Sequence, residues 1–305
     1  MHLSLTSRRK NSKRLPEKPG EKALSIFRET VRRFKTGGVG EPEKEAEILL
    51  TVVTSFSREY IYTHDPPLSE KQRNLLEGYV VRRLKGEPLQ YITGRAGFYG
   101  REFSVGRGVL IPRPETEVLV EEAIKIIRSE GWEAPAVLDL CTGSGCVAIT
   151  IGLEIPGADV TGVDISDEAL GYAELNKKLY GAENVRFLKG DLFMPVQKKR
   201  FDIILSNPPY VRSTEYRFLQ REVREYEPEG ALLAGKGGVD VIERILSEAP
   251  RYIMPHGYVL LEVGKGQAKE VKDIALRWGF IHVETVKDLS GIERVVVFRV
   301  QAGGK

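Results

Sequence analysis

From Ala136 onward the chain alternates short apolar runs with helical patterns, and that alternation narrows the possible architectures more than any other feature. Strands are expected at 137–140, 159–165, 185–188, 201–206, 258–263, 282–286 and 294–300. Helices are expected directly after the turn at 141–145 and over 167–180 and 267–278. Strand–helix alternation of this kind builds a mostly parallel sheet covered by helices on both faces. The fold class is therefore α/β, with seven strands and an antiparallel last strand. Ligands of such a sheet bind beyond the C-terminal ends of its strands, so the loops there are the first place to look for chemistry.

The first of those loops is Asp139-Leu140-Cys141-Thr142-Gly143-Ser144-Gly145. Glycine lets the backbone come close to a ligand, and a helix N-terminus offers unpaired N–H groups. Cys141, Thr142, Gly143, Ser144 and Gly145 are therefore candidate cofactor-binding residues. Asp164 ends the second strand. An acid there suits a ribose diol, each hydrogen bond to the carboxylate contributing about 1.5–3 kcal/mol. Asp191 follows the third strand with Leu192 and Phe193 behind it. An acid with apolar neighbours can hold adenine by its amino group and its face; such an acid can also simply cap a turn. Gly143, Gly145 and Ala148 also satisfy the dinucleotide pattern G-x-G-x-x-G/A, which keeps an NAD-dependent oxidoreductase open at this point. The two cysteines, Cys141 and Cys146, make no disulfide framework. The scattered His2, His64, His256 and His282 supply no partner for them, so no metal site is expected.

Asn207-Pro208-Pro209-Tyr210 follows the apolar run at 201–206. Two consecutive prolines lack N–H groups and fix φ, so the strand must stop there in a stiff loop. That loop presents an amide, a proline carbonyl and an aromatic ring. Asn207 Oδ1 and the Pro208 carbonyl can each accept one N–H of a substrate NH₂ group, and Tyr210 can stack on its plane. S-adenosylmethionine fits the neighbouring crevice, its methionine end at the glycines and its ribose at Asp164, with the methyl directed toward Asn207. An amide or aromatic amine is a poor nucleophile because its lone pair is delocalised, so the site must orient it and stabilise developing positive charge. Such positioning can supply roughly 7–11 kcal/mol of the barrier. The loop by itself would serve adenine, guanine or glutamine equally.

Residues 21–90 read as a helical unit, with a 3.6-residue apolar period over 23–34, a second helix around 46–53 and a third from an N-cap at Ser69 to about Lys85. Glycines at 94, 97, 100, 106 and 108 among aromatic and β-branched residues suggest a β-hairpin linker over 91–114, leaving 115–305 as the catalytic domain. Pro114 should open a helix that runs to about Ser129. Residues 1–20 form a basic segment expected to be disordered. Residues 1–22 hold seven Lys/Arg against two Glu, so of the overall +3 the remaining chain carries −2. The folded body thus lacks the basic footprint of a stable nucleic-acid binder. No apolar run reaches 18 residues and no signal peptide is evident, which points to a cytoplasmic protein without a membrane partner.

These motifs together resemble class I, S-adenosylmethionine-dependent amino-methyltransferases, whose sheet is Rossmann-like. The resemblance narrows through Gly86-Glu87-Pro88-Leu89-Gln90-Tyr91-Ile92-Thr93-Gly94, Phe98-Tyr99-Gly100 and Ile111-Pro112-Arg113-Pro114-Glu115-Thr116-Glu117. Glu227-Pro228-Glu229-Gly230-Ala231-Leu232, and Asp288-Leu289-Ser290-Gly291 with Arg294-Val295-Val296, point the same way. Over about 21–300 the chain is similar to the release-factor glutamine-N5 methyltransferases, the HemK/PrmC family. That resemblance implies methyl transfer to the side-chain amide of the Gln in a Gly-Gly-Gln loop of peptide-chain release factors. It also implies that the helical domain contacts the release factor. Cys141 stands where the family usually has Gly, and Leu192 where it often has Trp, so either Leu192 or Phe193 would pack on adenine. Arg113 and Glu117 either close the cofactor pocket or mark a surface helix start with dipole-matched acids. The rival readings are a ribosomal-protein glutamine methyltransferase, a DNA or RNA amino-methyltransferase, an NAD oxidoreductase and a non-catalytic release-factor docking module.

Overall fold

The structure, a computed structural model, describes residues 20–300. The expected disordered tail, 1–20, lies outside the described residues except for Gly20. The chain divides into two compact units, one ending at Lys85 and the other beginning at Gly86.

The first unit contains helices α1 (Ala23–Thr36), α2 (Pro42–Thr54), α3 (Arg58–His64) and α4 (Glu70–Leu84). Their starts are set by local chemistry. Pro42 occupies the first turn of α2, where its missing N–H costs nothing. Ser57 caps α3 by accepting from Tyr60 N, and Ser69 with Gln72 forms a reciprocal capping box on α4. Phe34, Leu49, Leu50, Ile61, Leu76 and Val80 are buried at the centre. Arg83 and Glu45 join α4 to α2 by two hydrogen bonds of 2.5 and 3.0 Å. The seven-residue α3 escaped the periodicity argument because it is too short to show a repeat; only its serine cap signals it.

The second unit opens with α5 (Leu89–Thr93) and a hairpin, β1 (Arg95–Phe98) with β2 (Arg101–Ser104). The hairpin is not an independent linker. Phe98 and Phe103 are buried in one cluster with Leu119 and Val147, and Asn176 holds Ser104 by its N–H (2.7 Å) and its carbonyl (3.1 Å). A short 3₁₀ turn, Pro114–Thr116, leads into α6 (Glu117–Ser129). Then follow β3 (Ala136–Leu140), α7 (Cys146–Glu154), β4 (Asp159–Asp164), α8 (Asp167–Tyr180), β5 (Val185–Lys189) and β6 (Phe201–Ser206). The chain continues through α9 (Arg221–Tyr226), α10 (Asp240–Glu248), β7 (Ile253–Glu262), α11 (Ala268–Arg277), β8 (Phe280–Lys287) and β9 (Glu293–Val300).

The seven-stranded sheet has the order β5-β4-β3-β6-β7-β9-β8. Strands β3 to β7 pair in parallel, and β9 is antiparallel to both β7 and β8. Helices cover both faces. Leu119, Ile124, Val147 and Ile151 bury one side of the sheet, and Ile242, Leu246, Val271 and Ile274 the other. Strand β7 begins at Ile253 rather than at 258, because Ile253 pairs with Phe201 across an irregularity. Within the intervening Met254-Pro255-His256-Gly257, His256 has a φ of +72°.

Candidate active site

Strand order reverses at β3, whose neighbours are β4 and β6, and a crevice opens there beyond the strand ends. The register fixes what meets in it. Leu140 pairs with Val163 on one side and with Ser206 on the other, and Ser206 Oγ donates to the Leu140 carbonyl at 2.8 Å. The loops beginning at Cys141, Asp164 and Asn207 therefore emerge side by side. They line a cleft of about 460 Å³ that also includes Asp191, Leu192 and Arg113.

The β3–α7 loop is wound tightly around two acids. Thr142 Oγ1 donates to buried Asp139 at 2.5 Å, and Gly145 N donates back to the Thr142 carbonyl. Burial pushes the Asp139 carboxyl up to about 7 against the pull of that hydroxyl. Gly143 N (2.8 Å) and Ser166 N (2.9 Å) each donate to one oxygen of Asp164. Burial raises Asp164 as well, while the backbone donors resist the rise. Each Asp164 oxygen keeps lone-pair capacity for a further donor, which suits a vicinal diol. Gly143 and Gly145 have φ of +56° and +77°. A Cβ on Gly143 would have no protein atom nearer than Val109 Cγ2 at 4.0 Å, so the space against it belongs to the cleft. These features fit a nucleoside-bearing cofactor at the glycine loop. Ser144 is buried, and its carbonyl accepts from Asn176 Nδ2. Cys141 has a φ of +59°, a left-handed conformation natural to glycine, and its thiol is driven up to about 12 by burial.

Asp191 and Leu192 line the same cleft, and Arg244 of α10 pairs with Asp191 at 2.7 Å. Phe193 does not join them. It is fully buried and stacks on Tyr252, with ring centroids 4.5 Å apart, because the backbone turns at Leu192 (φ +49°) and sends the next side chain into the core. Glu117 is likewise absent from the cleft. Its carboxylate accepts from Tyr99 N at 2.7 Å and secures the hairpin turn. Among the described residues no group of three or more His, Cys, Asp or Glu is placed to hold a metal ion.

A second cleft, of about 390 Å³, lies on the other side of the Asn-Pro-Pro-Tyr loop. Pro209 lines the first cleft, Pro208 and Tyr210 line the second, and Asn207 and Arg113 border both. The Tyr210 carbonyl is held by Gln267 Nε2 at 2.9 Å, and burial pushes its phenol up to about 12, so the ring stays neutral. Arg113 pairs with Glu227, whose other oxygen accepts from Ile111 N at 3.2 Å. Asn207 Nδ2 donates to Thr116 Oγ1 at 3.0 Å. Behind Thr116 lies Glu262, the last residue of β7 and almost wholly buried. Sequence reasoning gave no role to Thr116, Glu227, Arg244 or Glu262. Thr116 and Glu227 lie within motifs quoted above, and Glu262 shows in the sequence as an acid inside an apolar run on a strand covered on both faces.

With β9 inserted antiparallel between β7 and β8, this is the sheet of the S-adenosylmethionine-dependent methyltransferases, and the chain is an enzyme of that class. The family described as "Methyltransferase small domain" matches residues 116–237, and "PrmC N-terminal domain" matches residues 25–94. The chain is 43% identical over 281 residues to the release factor glutamine methyltransferase of Thermodesulfovibrio yellowstonii, covering 91% of this chain and 98% of that one. It is 42% identical over 264 residues to the enzyme of the same name from Geobacter sulfurreducens, covering 86% and 91%. The chain belongs to the release factor glutamine methyltransferase family. A methyltransferase from Pyrococcus furiosus shares the fold, with a TM-score of 0.50 at 18% identity over 76% of this chain and 98% of that one. Among the described residues, no helix is long and apolar enough to cross a membrane.

Proposed function

We propose that this enzyme transfers a methyl group from S-adenosylmethionine to the side-chain amide N5 of the glutamine in the Gly-Gly-Gln loop of peptide-chain release factors. One observation carries the reading: two clefts meet at Asn207, one suited to a nucleoside-bearing cofactor and the other lined by an amide-reading loop. When bound, S-adenosylmethionine supplies an electrophilic methyl on a sulfonium sulfur. Asp164 holds the ribose, Asp191 and Leu192 hold adenine, and Cys141 to Gly145 surround the methionine end. On the acceptor side, Asn207 Oδ1 and the Pro208 carbonyl take the two N–H groups of the substrate amide, and Tyr210 packs on its plane. Two acceptors facing the NH₂ group direct the nitrogen at the methyl and stabilise the positive charge that grows on it. No side chain has to remove a proton beforehand, since the nitrogen loses it readily after methylation. Pro209 lines the cofactor cleft, and Arg113 borders both clefts.

The helical unit carries release-factor recognition in this reading, and the setting is the cytoplasm, where release factors act. The net −2 outside residues 1–22 disfavours DNA or RNA as the acceptor. Methyl-labelled S-adenosylmethionine, offered with full-length release factors, ribosomal proteins and DNA together, tests the choice. Label on release-factor glutamine is expected. Label on DNA or on a ribosomal protein, with release factors unlabelled, would overturn it.

A further inference from the structure

Asn207 can serve as an acceptor only if its oxygen, rather than its NH₂ group, faces the substrate. Its own loop does not decide this, because Pro208 and Pro209, which follow it, lack N–H groups to pin the amide. The polarity is set from behind. Thr116 Oγ1 lies 3.0 Å from Asn207 Nδ2. The same hydroxyl draws the neighbouring Glu262 carboxyl down against the rise that burial causes; Glu262 is 1% exposed and its Oε2 has no hydrogen-bond partner. Above about pH 7, where Glu262 is ionised, its carboxylate only accepts, so it takes the single hydroxyl proton of Thr116. The Thr116 oxygen can then only accept, and what it accepts must be an N–H of Asn207. Placement follows from topology. Thr116 ends the 3₁₀ turn before α6, and Glu262 follows Tyr258 and Leu260 on the β7 face that α6 covers.

We propose that Thr116 and Glu262 are positioning residues for methyl transfer: through Thr116, the Glu262 carboxylate locks the Asn207 amide with its oxygen toward the acceptor cleft. This rests on the proposed function for what the acceptor is, but not for which way the amide points. Neither residue lines the acceptor cleft, and Thr116 borders the cofactor cleft. An unlocked amide would spend part of its time presenting two donors to a substrate NH₂ group, which repels it.

The test uses the full chain at pH 8, above the value of about 7 to which burial pushes Glu262, so that the group is a carboxylate. Thr116→Val keeps the shape and removes the hydroxyl; Thr116→Ser keeps the hydroxyl. Thr116→Val is expected to lower kcat for release-factor methylation about tenfold, with S-adenosylmethionine affinity within about twofold of wild type. Thr116→Ser should restore kcat. Glu262→Leu should reproduce the Thr116→Val loss, and Glu262→Gln, whose oxygen still accepts, should be milder. Wild-type kcat in Thr116→Val, or a Thr116→Ser enzyme no better than Thr116→Val, would overturn the proposal. A second readout is independent of any substrate: the Asn207 side-chain NH₂ signals in ¹⁵N NMR, assigned by their loss in Asn207→Ala. They should shift in Thr116→Val and stay in place in Thr116→Ser; unmoved signals in Thr116→Val would also overturn it. A wild-type enzyme that leaves release factors unmethylated would strike the proposed function instead, and the NMR result would still decide the positioning.

Discussion

Gly145 and Gly143 stand two residues apart in one loop, both with positive φ, yet alanine at each should fail for a different reason. A Cβ on Gly145 would come within 2.7 Å of Phe187 Cζ and 3.1 Å of both Ala173 Cβ and Ile149 Cδ1. The Phe187 ring cannot swing away, because it already fills the space beside Gly162, whose own Cβ would meet the ring at 2.6 Å. Left-handed backbone costs a non-glycine residue roughly 1–2 kcal/mol, and overpacking adds typically 1–3 kcal/mol. Gly145→Ala should therefore lose about 3 kcal/mol, which for a domain of this size lowers Tm by roughly 6–12 °C. Gly143→Ala meets only Val109 Cγ2 at 4.0 Å, so it bears the backbone strain alone, about 1–2 kcal/mol. Its methyl instead enters the cofactor cleft, and S-adenosylmethionine affinity should fall at least about tenfold, equivalent to about 1.4 kcal/mol. Calorimetric melting and isothermal titration of both variants separate the two effects. Equal Tm losses, or a Gly143→Ala enzyme that binds the cofactor like wild type, would refute the reasoning.

Cys141→Gly relieves a positive-φ residue and should raise Tm by about 2–4 °C, corresponding to about 1 kcal/mol; an unchanged or lower melting point would show that the thiol packing outweighs the strain. Burial raises Asp139 from 3.8 and Glu262 from 4.5, each to about 7, so in both cases the folded state holds the proton more tightly than the unfolded chain. Their contribution is complete below about pH 4 and is lost as pH rises through about 7, on the order of 1–3 kcal/mol for each group. Urea unfolding at pH 5 and pH 8 should therefore show a smaller loss of stability in Glu262→Gln than in wild type, whereas parallel pH profiles would contradict the raised value.

The alternating sheet was legible because buried strands such as Ile203-Ile204-Leu205 are continuous apolar runs, and helices such as α8 carry their own cap, Ser166, and stop, Gly181. The candidate site was legible where one loop held the whole chemical signature, as at Cys141 to Gly145 and Asn207 to Tyr210. It was obscure where the cleft is built from contacts between distant segments. Thr116 looks like any residue at a helix start until β7 brings Glu262 behind it. Phe193 looked as good as Leu192 for adenine, because composition does not reveal that Leu192 adopts a φ of +49° and turns its neighbour onto Tyr252. Glu117 and Arg113 sit four residues apart in one motif, yet one fastens the Tyr99 turn while the other borders both clefts. The hairpin at 95–104 reads as a linker from its glycines; its two phenylalanines, buried with α6 and α7, make it part of the core.

In the proposed function, Asn207 is the group that orients the acceptor amide. Single-turnover methylation of a full-length release factor by Asn207→Ala, with cofactor affinity measured on the same sample, tests it most directly. The expected result is a 10²–10³-fold slower transfer, on the order of 2.7–4 kcal/mol, with S-adenosylmethionine binding largely intact. Near-normal turnover in Asn207→Ala would contradict the account.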